Sequence, residues 1–402
     1  MIAVSVGGMR RVAADFGLVY AANGLVGLVF AATGPVAVVL AVATQGGLSA
    51  AQLASWIFGA FFINGAITVA MSWRNRMPLC FFWTIPGTVL VGPALQHSSF
   101  AEVVGAYYAA GLLILGLGAS GLVERVMRAV PMPIVMGMVA GVFLRFGLDL
   151  VRSLHGDPAI AAPMVVAFFG LMAAPRWGRL MPPLIGALLV GGAVVAALGR
   201  LDASALGEFA LVRPVVTAPA WSWAAMIELV APLTITVLVV QNAQGFAVLQ
   251  AAGHRAPVTA ATVMCGVGSL ASAFVGAVST CVTGPTNALL TSSGERGRQY
   301  TAAMFTGVLA MGFGLLAPAF TGLMLATPKA YIAVLGGLAM LRVLHSAFMV
   351  SFRGPFALGA LVSFLVTVAD QPVWNIGGAF WGLIAGVAVA LLLERGDFAR
   401  QR

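Results

Sequence analysis

The 402-residue chain is 61% hydrophobic and 8% charged, with a mean hydropathy of +1.02, where a soluble domain carries roughly a quarter charged residues; this excludes a fold wetted on all sides. Its formal net charge of +9 is scattered in ones and twos between apolar runs, the pattern of membrane topology rather than of a nucleic-acid surface. Cys80, Cys265 and Cys281 are an odd number in apolar segments, without a C-x-x-C or a His-rich partner; they read as small core residues, not as disulfides or zinc ligands.

The expected fold class is therefore an all-α polytopic membrane protein. The segment before the first apolar run has no small-residue cleavage site, so the first span reads as retained. With roughly 20 apolar residues as the unit of a spanning helix, spans are predicted near 16–44, 50–73, 78–96, 100–120, 131–152, 158–175 and 181–199. After a polar stretch over 201–220, seven more are predicted near 222–251, 256–277, 279–292, 299–324, 328–349, 355–371 and 375–394. The chain thus divides into a first seven-span repeat over 1–200 and a second over 201–402, fourteen transmembrane spans in all.

Charge tests this count, because cytoplasmic loops collect Lys and Arg. With both termini inside, fifteen basic residues fall on the cytoplasmic side: Arg10, Arg11, Arg74, Arg76, Arg125, Arg128, Arg176, Arg179, Arg255, Arg296, Arg298, Arg353, Arg395, Arg400 and Arg402. Arg152, Arg200, Arg213 and Lys329 fall outside, and Arg145 and Arg342 lie within spans. Adding or removing one central span would invert every later loop and destroy the asymmetry.

Seven is odd, so two repeats must have opposite topology. Pro131 and Leu144-Arg145 of span 5 recur as Pro328 and Leu341-Arg342 of span 12, an offset of 197 residues. Trp83-Thr-Ile-Pro-Gly-Thr88 in span 3 and Thr283-Gly-Pro-Thr-Asn287 in span 10 set Pro86 and Pro285 199 residues apart. In both short spans, partly β-branched residues lead into a proline, which suits the first turn of a helix better than its interior. Each reads as half strand and half helix, a break tolerated at membrane depth only where the freed backbone is buried in protein or lines a cavity. Two such helix starts facing each other would hold a carboxylate on backbone N–H groups without an arginine. The alternative is a pair of ordinary proline kinks.

Span 8 carries Gln241-Asn-Ala-Gln244 well inside its apolar run, where amides are expensive unless bonded. They are either glue between helices or ligand contacts. Phe30 and Thr33 occupy the equivalent middle of span 1. Arg145 and Asp149 are four apart on span 5 and can pair along one face, or snorkel to the interface. Gly137 to Gly141 and Gly382 to Gly386 have the spacing of close helix packing, and His97, His155, His254 and His345 make no metal site.

Trp83-Thr-Ile-Pro-Gly87, Gln241-Asn-Ala-Gln-Gly245 and Ala252-Gly-His-Arg-Ala-Pro257 together resemble the benzoate:proton symporter (BenE) family over nearly the whole chain. That family is in turn similar to uracil-permease-like transporters. The resemblance implies a core domain of spans 1–4 and 8–11 and a gate domain of spans 5–7 and 12–14. Carried over residue by residue, it implies a substrate site of Phe30, Thr33, Trp83, Thr84, Gly87, Gln241, Asn242, Thr283, Gly284 and Thr286, with Phe30 and Trp83 walling an aromatic ring. Uracil-type relatives have carboxylates where this chain has Gln241 and Gly284, a departure that suits an anionic substrate. The expected function is alternating-access import of benzoate or a similar small aromatic carboxylate across a bacterial inner membrane, with a proton as coupling ion. No other cofactor, metal or nucleic acid is expected, and a homodimer stays open. The runner-up is an inorganic-anion exchanger or channel of the same fold. An enzyme is not expected, since His-Glu-x-x-His, Gly-x-Ser-x-Gly and paired intramembrane aspartates are all missing.

Overall fold

The computed structural model describes residues 6–123, 131–174, 181, 183–202, 210–292, 294–371, 373 and 378–401. Arg125, Arg128, Arg176, Arg179 and Arg402 of the charge count lie outside these residues, and so do the side chains of Arg10, Thr33, Arg342 and Arg400.

The first half contains α1 (Val6–Asp15), α2 (Leu18–Gln45), α3 (Ala50–Asn75), β1 (Phe81–Trp83), α4 (Ile85–Ala94), α5 (Phe100–Ser120), α6 (Met132–Gly156), α7 (Pro158–Ala173) and α8 (Pro183–Ala197). The second contains α9 (Trp223–Ala251), α10 (Val258–Phe274), β2 (Thr280–Val282), α11 (Gly284–Leu290), α12 (Tyr300–Leu315), α13 (Ala317–Leu325), α14 (Lys329–Phe352), α15 (Ala357–Ala369), α16 (Gly378–Leu393) and α17 (Arg395–Gln401). Among the described residues six helices are long and apolar enough to cross a membrane, or seven if one bent pair counts as a single span. That number is lower than the fourteen spans read from the sequence, two of them expected to be half strand and half helix. The rest are shorter apolar helices: α7, with 16 residues, is about 24 Å long against a hydrocarbon core of about 30 Å. The bent pair is the segment predicted as one span over 299–324, which turns by 64° between Leu315 and Ala317. Pro318 sits in the first turn of the new helix, where its missing N–H is harmless. The polar stretch after α8 includes an extended run that docks on the bundle through Val212 N–H to Leu315 O, Val215 N–H to Ser55 Oγ and Ala220 N–H to Ala101 O.

Local sequence sets the helix ends. Ser49 with Gln52 and Ser99 with Glu102 form capping boxes that start α3 and α5. Gly121 ends α5 at a φ of 70°, in the left-handed region a β-carbon disfavours. Helix α3 ends on Arg76, itself left-handed at a φ of 51°; its guanidinium donates to Tyr300 Oη, and Tyr300 donates onward to Asp15. This knot ties α1, α3 and α12 together.

At the centre β1 pairs antiparallel with β2, Phe81 facing Val282 and Trp83 facing Thr280. A two-stranded ribbon leaves two edges of unpaired backbone, which in an apolar interior must find partners. Polar side chains of the flanking helices supply them. Phe81 N–H donates to Thr68 Oγ1 and Leu79 N–H to Ser72 Oγ, both from α3. On the other edge Thr280 N–H donates to Ser269 Oγ of α10, and Val282 N–H to Asn242 Oδ1 of α9. Cys80 N–H donates to Asn287 Oδ1, which joins β1 to α11. Three buried hydroxyls of these apolar helices, on Thr68, Ser72 and Ser269, are thus hydrogen-bond partners for the ribbon. Ser269→Ala, which orphans the Thr280 N–H, is expected to destabilise the fold by about 1–3 kcal/mol, read as a fall in unfolding temperature without loss of the helical circular-dichroism signal.

Candidate functional site

The candidate site surrounds the two helix starts that follow β1 and β2. Thr84 caps α4, its Oγ1 accepting from Gly87 N–H at 3.1 Å, and its hydroxyl donates to Thr236 Oγ1 of α9 at 3.3 Å. Thr283 precedes α11 but does not cap it; its hydroxyl donates instead to Thr286 Oγ1 at 3.5 Å. The N–H groups of Gly284 and Thr286 accordingly have no partner among the described residues. A β-carbon on Gly284 would lie 2.5 Å from Gln244 Cγ, and one on Gly87 2.4 Å from Thr84 Cγ2. Both helix starts are therefore packed to the backbone.

The register separates these starts. Thr84 N–H donates to Ser279 O and Thr283 N–H to Cys80 O, so Thr84 and Thr283, the residues before the two helices, sit at opposite ends of the ribbon, four residues of strand apart, about 13 Å. The expectation that both ends close on one carboxylate is corrected accordingly: antiparallel pairing sends the two helices off opposite ends of the ladder.

Helix α9 carries a π-helical segment, Thr236–Asn242, one extra residue per turn of the kind that re-aims side chains at functional places. Asn242 is fully buried; its Oδ1 accepts from Val282 N–H at 2.8 Å, and its amide reaches Cys265 Sγ at 3.6 Å. Gln241 is also buried, at 5% exposure, but its side-chain amide has no hydrogen-bond partner among the described residues. Gln244, one turn on, is exposed and lies over Gly284. The motif divides: Asn242 holds the ribbon, while Gln241 and Gln244 keep amides to offer. Thr236 neighbours the helix starts without having been singled out in the sequence, whereas Gln244 belongs to the amide motif read there, at the i,i+3 spacing from Gln241 that marks one helix face.

Trp83 is buried at 2% exposure with its ring 5.0 Å from Phe61 and 5.7 Å from Phe82, and its indole N–H is unpartnered. It is packed as a core side chain. Phe30 is half-buried on α2, one turn beyond Gly27, whose Cα faces Thr286 Cγ2. The Thr33 side chain falls outside the described residues.

The charged residues are arranged differently from the i,i+4 pair expected on span 5. Asp149 pairs with Arg152 at 3.0 Å, three residues on, and not with Arg145. Glu228, 5% exposed, is hydrogen-bonded to His97 Nε2 at 2.8 Å. Both pairs border a cavity of about 440 Å³ between the ends of α2, α4, α6 and α15 and the starts of α9 and α14.

The model of the benzoate membrane transport protein family, BenE, matches residues 14–392. The chain belongs to the BenE family. A BenE-family chain of this kind is a membrane transporter and not an enzyme, and its long apolar helices suit a multi-pass membrane protein. It is 30% identical over 365 residues to the inner membrane protein YdcO of Escherichia coli strain K12, covering 89% of this chain and 92% of that one. It is 28% identical over 361 residues to the benzoate membrane transport protein of Acinetobacter baylyi, covering 87% and 89%. Among solved structures, SLC26A9 superposes with a TM-score of 0.66 at 14% identity, over 92% of this chain and 64% of that one. The transmembrane domain of the cyanobacterial bicarbonate transporter BicA superposes with a TM-score of 0.58 at 17% identity, over 91% and 97%. At such identities the likeness is one of fold.

Proposed function

We propose that this protein imports benzoate or a similar small aromatic carboxylate by alternating access, together with a proton. The observation that carries this reading is the family match over residues 14–392, in which a relative 28% identical is named a benzoate membrane transport protein. The geometry supplies a chemistry for it. An aromatic acid with a solution pKa near ~4 is ionised at neutral pH, so its carboxylate arrives as an anion. It is received by the free N–H groups of Gly284 and Thr286 and by the Gln241 amide, with the Thr283 and Thr286 hydroxyls beside them. The distance of about 13 Å along the ribbon leaves the ring to extend toward Thr84, Gly87 and the α4 start, with Phe30 on its apolar side. No carboxylate side chain stands among these groups, so the substrate is not repelled.

The transport cycle follows from the same parts. Repeats over 1–200 and 201–402 are inverted, with fourteen crossings and both termini cytoplasmic. The core of spans 1–4 and 8–11 holds the site and moves against a gate of spans 5–7 and 12–14. Packing favours this division, because α6 lies along α14 and α15, α7 along α8, and β1 on β2. The proton travels on the substrate or on a peripheral carboxylate, Glu228 or Asp149, of which Glu228 is the better placed because it is buried and hydrogen-bonded to His97.

A second reading, an inorganic-anion exchanger or channel, draws on the fold shared with SLC26A9 and BicA. A thermal-shift screen of the purified protein separates the two. Ligands that bind only the folded state raise its stability by mass action, about 2.7 kcal/mol at a hundredfold excess over Kd. Stabilisation by benzoate, and none by bicarbonate, sulfate or nucleobases at equal ionic strength, is the expected result. Stabilisation by inorganic anions alone would replace the first reading by the second.

A further inference from the structure

The cavity between the helix ends is of ordinary ligand-pocket size, about 440 Å³. Val42, Leu90, Val142, Phe146 and Ile332 line its apolar side. Six charged side chains also reach it: Arg145, Asp149, Arg152, Glu228, Lys329 and Asp370. The three carboxylates are engaged. Asp149 is held by Arg152, Glu228 by His97, and Asp370 accepts from Gly378 N–H at 3.2 Å. Arg145 and Lys329 are both exposed, and neither has an ion-pair or hydrogen-bond partner among the described residues. The cavity therefore presents two uncommitted cations next to an apolar wall, a combination that matches an organic anion with a flat apolar body.

The cavity also leads toward the central site. Leu90 and Val142 line it and line as well a closed seam made with Pro86, Val139, Phe143 and Thr236. Along α4, Pro86 lies at the seam, Leu90 at the boundary and Pro93 in the cavity, a path of about 10 Å at the helical rise. A ligand in the cavity is thus one closed layer away from the α4 start.

We propose that this cavity is a capture site for small aromatic carboxylates, distinct from the central site, in which Arg145 and Lys329 hold the carboxylate and the apolar wall holds the ring. The inference rests on the aromatic-carboxylate reading above. Because both cations are exposed, their attraction is screened by salt, and the capture site is the weaker and the more salt-sensitive of the two.

Fluorine NMR of a fluorobenzoate titrated into the full-length protein in nanodiscs tests this. Two bound environments are expected. The weaker is lost, with an affinity at least about tenfold lower, in the double variant Arg145→Gln and Lys329→Gln and at high salt, while Arg145→Lys retains it. The tighter is lost in Gln241→Ala. Unfolding temperatures of the Arg145 and Lys329 variants should match the parent, since both side chains are exposed and unpaired. A single environment, removed by Gln241→Ala and untouched by the double variant, overturns the capture site and leaves the transport reading standing. No bound environment at all overturns both.

Discussion

Gln241→Ala is expected to weaken benzoate binding by about tenfold to a hundredfold, the loss of one hydrogen bond to a charged group of about 1.5–3 kcal/mol, with an unchanged unfolding temperature. Asn242→Ala, its neighbour in sequence, is expected to behave in the opposite way. The Asn242 side-chain Oδ1 is the acceptor for Val282 N–H, and removing it strands a buried backbone donor at about 1–3 kcal/mol. That is a large share of a net stability of about 5–15 kcal/mol, so the yield of folded protein should fall while the molecules that do fold still bind. Calorimetric titration beside thermal unfolding reads both quantities on each variant. Normal binding in Gln241→Ala would move the site away from α9, and loss of binding without destabilisation in Asn242→Ala would return that amide to the substrate.

The second large effect concerns energy coupling. Glu228→Gln combined with Asp149→Asn should leave benzoate binding at the central site nearly intact, because both carboxylates border the cavity and neither stands among the Gln241, Gly284 and Thr286 groups. Proton-driven accumulation is expected to be lost while benzoate exchange across the membrane persists. The loss should follow Glu228→Gln alone, since Asp149 is partly exposed and paired with an exposed Arg152, whereas Glu228 is buried against His97. Accumulation that survives in the double variant would assign the proton to the substrate itself.

Much of the architecture is legible in apolar run lengths. Long uninterrupted runs such as those around Leu18–Gln45, Met132–Gly156 and Trp223–Ala251 announce themselves because a helix satisfies its own backbone and needs only apolar side chains. The breaks are legible through proline: Pro86 and Pro285 stand in the first turns of α4 and α11. Strand register is not, because pairing depends on which N–H finds which carbonyl across the ribbon, and Trp83 opposite Thr280 leaves no periodic trace in three-residue strands. The same holds for the amide motif. Sequence places Gln241 and Asn242 side by side, but the π-helical turn decides that one faces β2 and the other faces no protein partner. Arg145 was legible as an oddity within an apolar span; that Asp149 turns to Arg152 and leaves it uncommitted is a matter of side-chain geometry.

Uptake of labelled benzoate into proteoliposomes of the purified protein, with protein-free vesicles subtracted to remove passive permeation of the neutral acid, separates proton-coupled import from exchange. Accumulation driven by an inward proton gradient is expected, abolished by a protonophore, competed by other aromatic carboxylates and indifferent to bicarbonate or sulfate on either side. Benzoate uptake that ignores the proton gradient, or that requires an inorganic anion moving in the opposite direction, would contradict proton-coupled import.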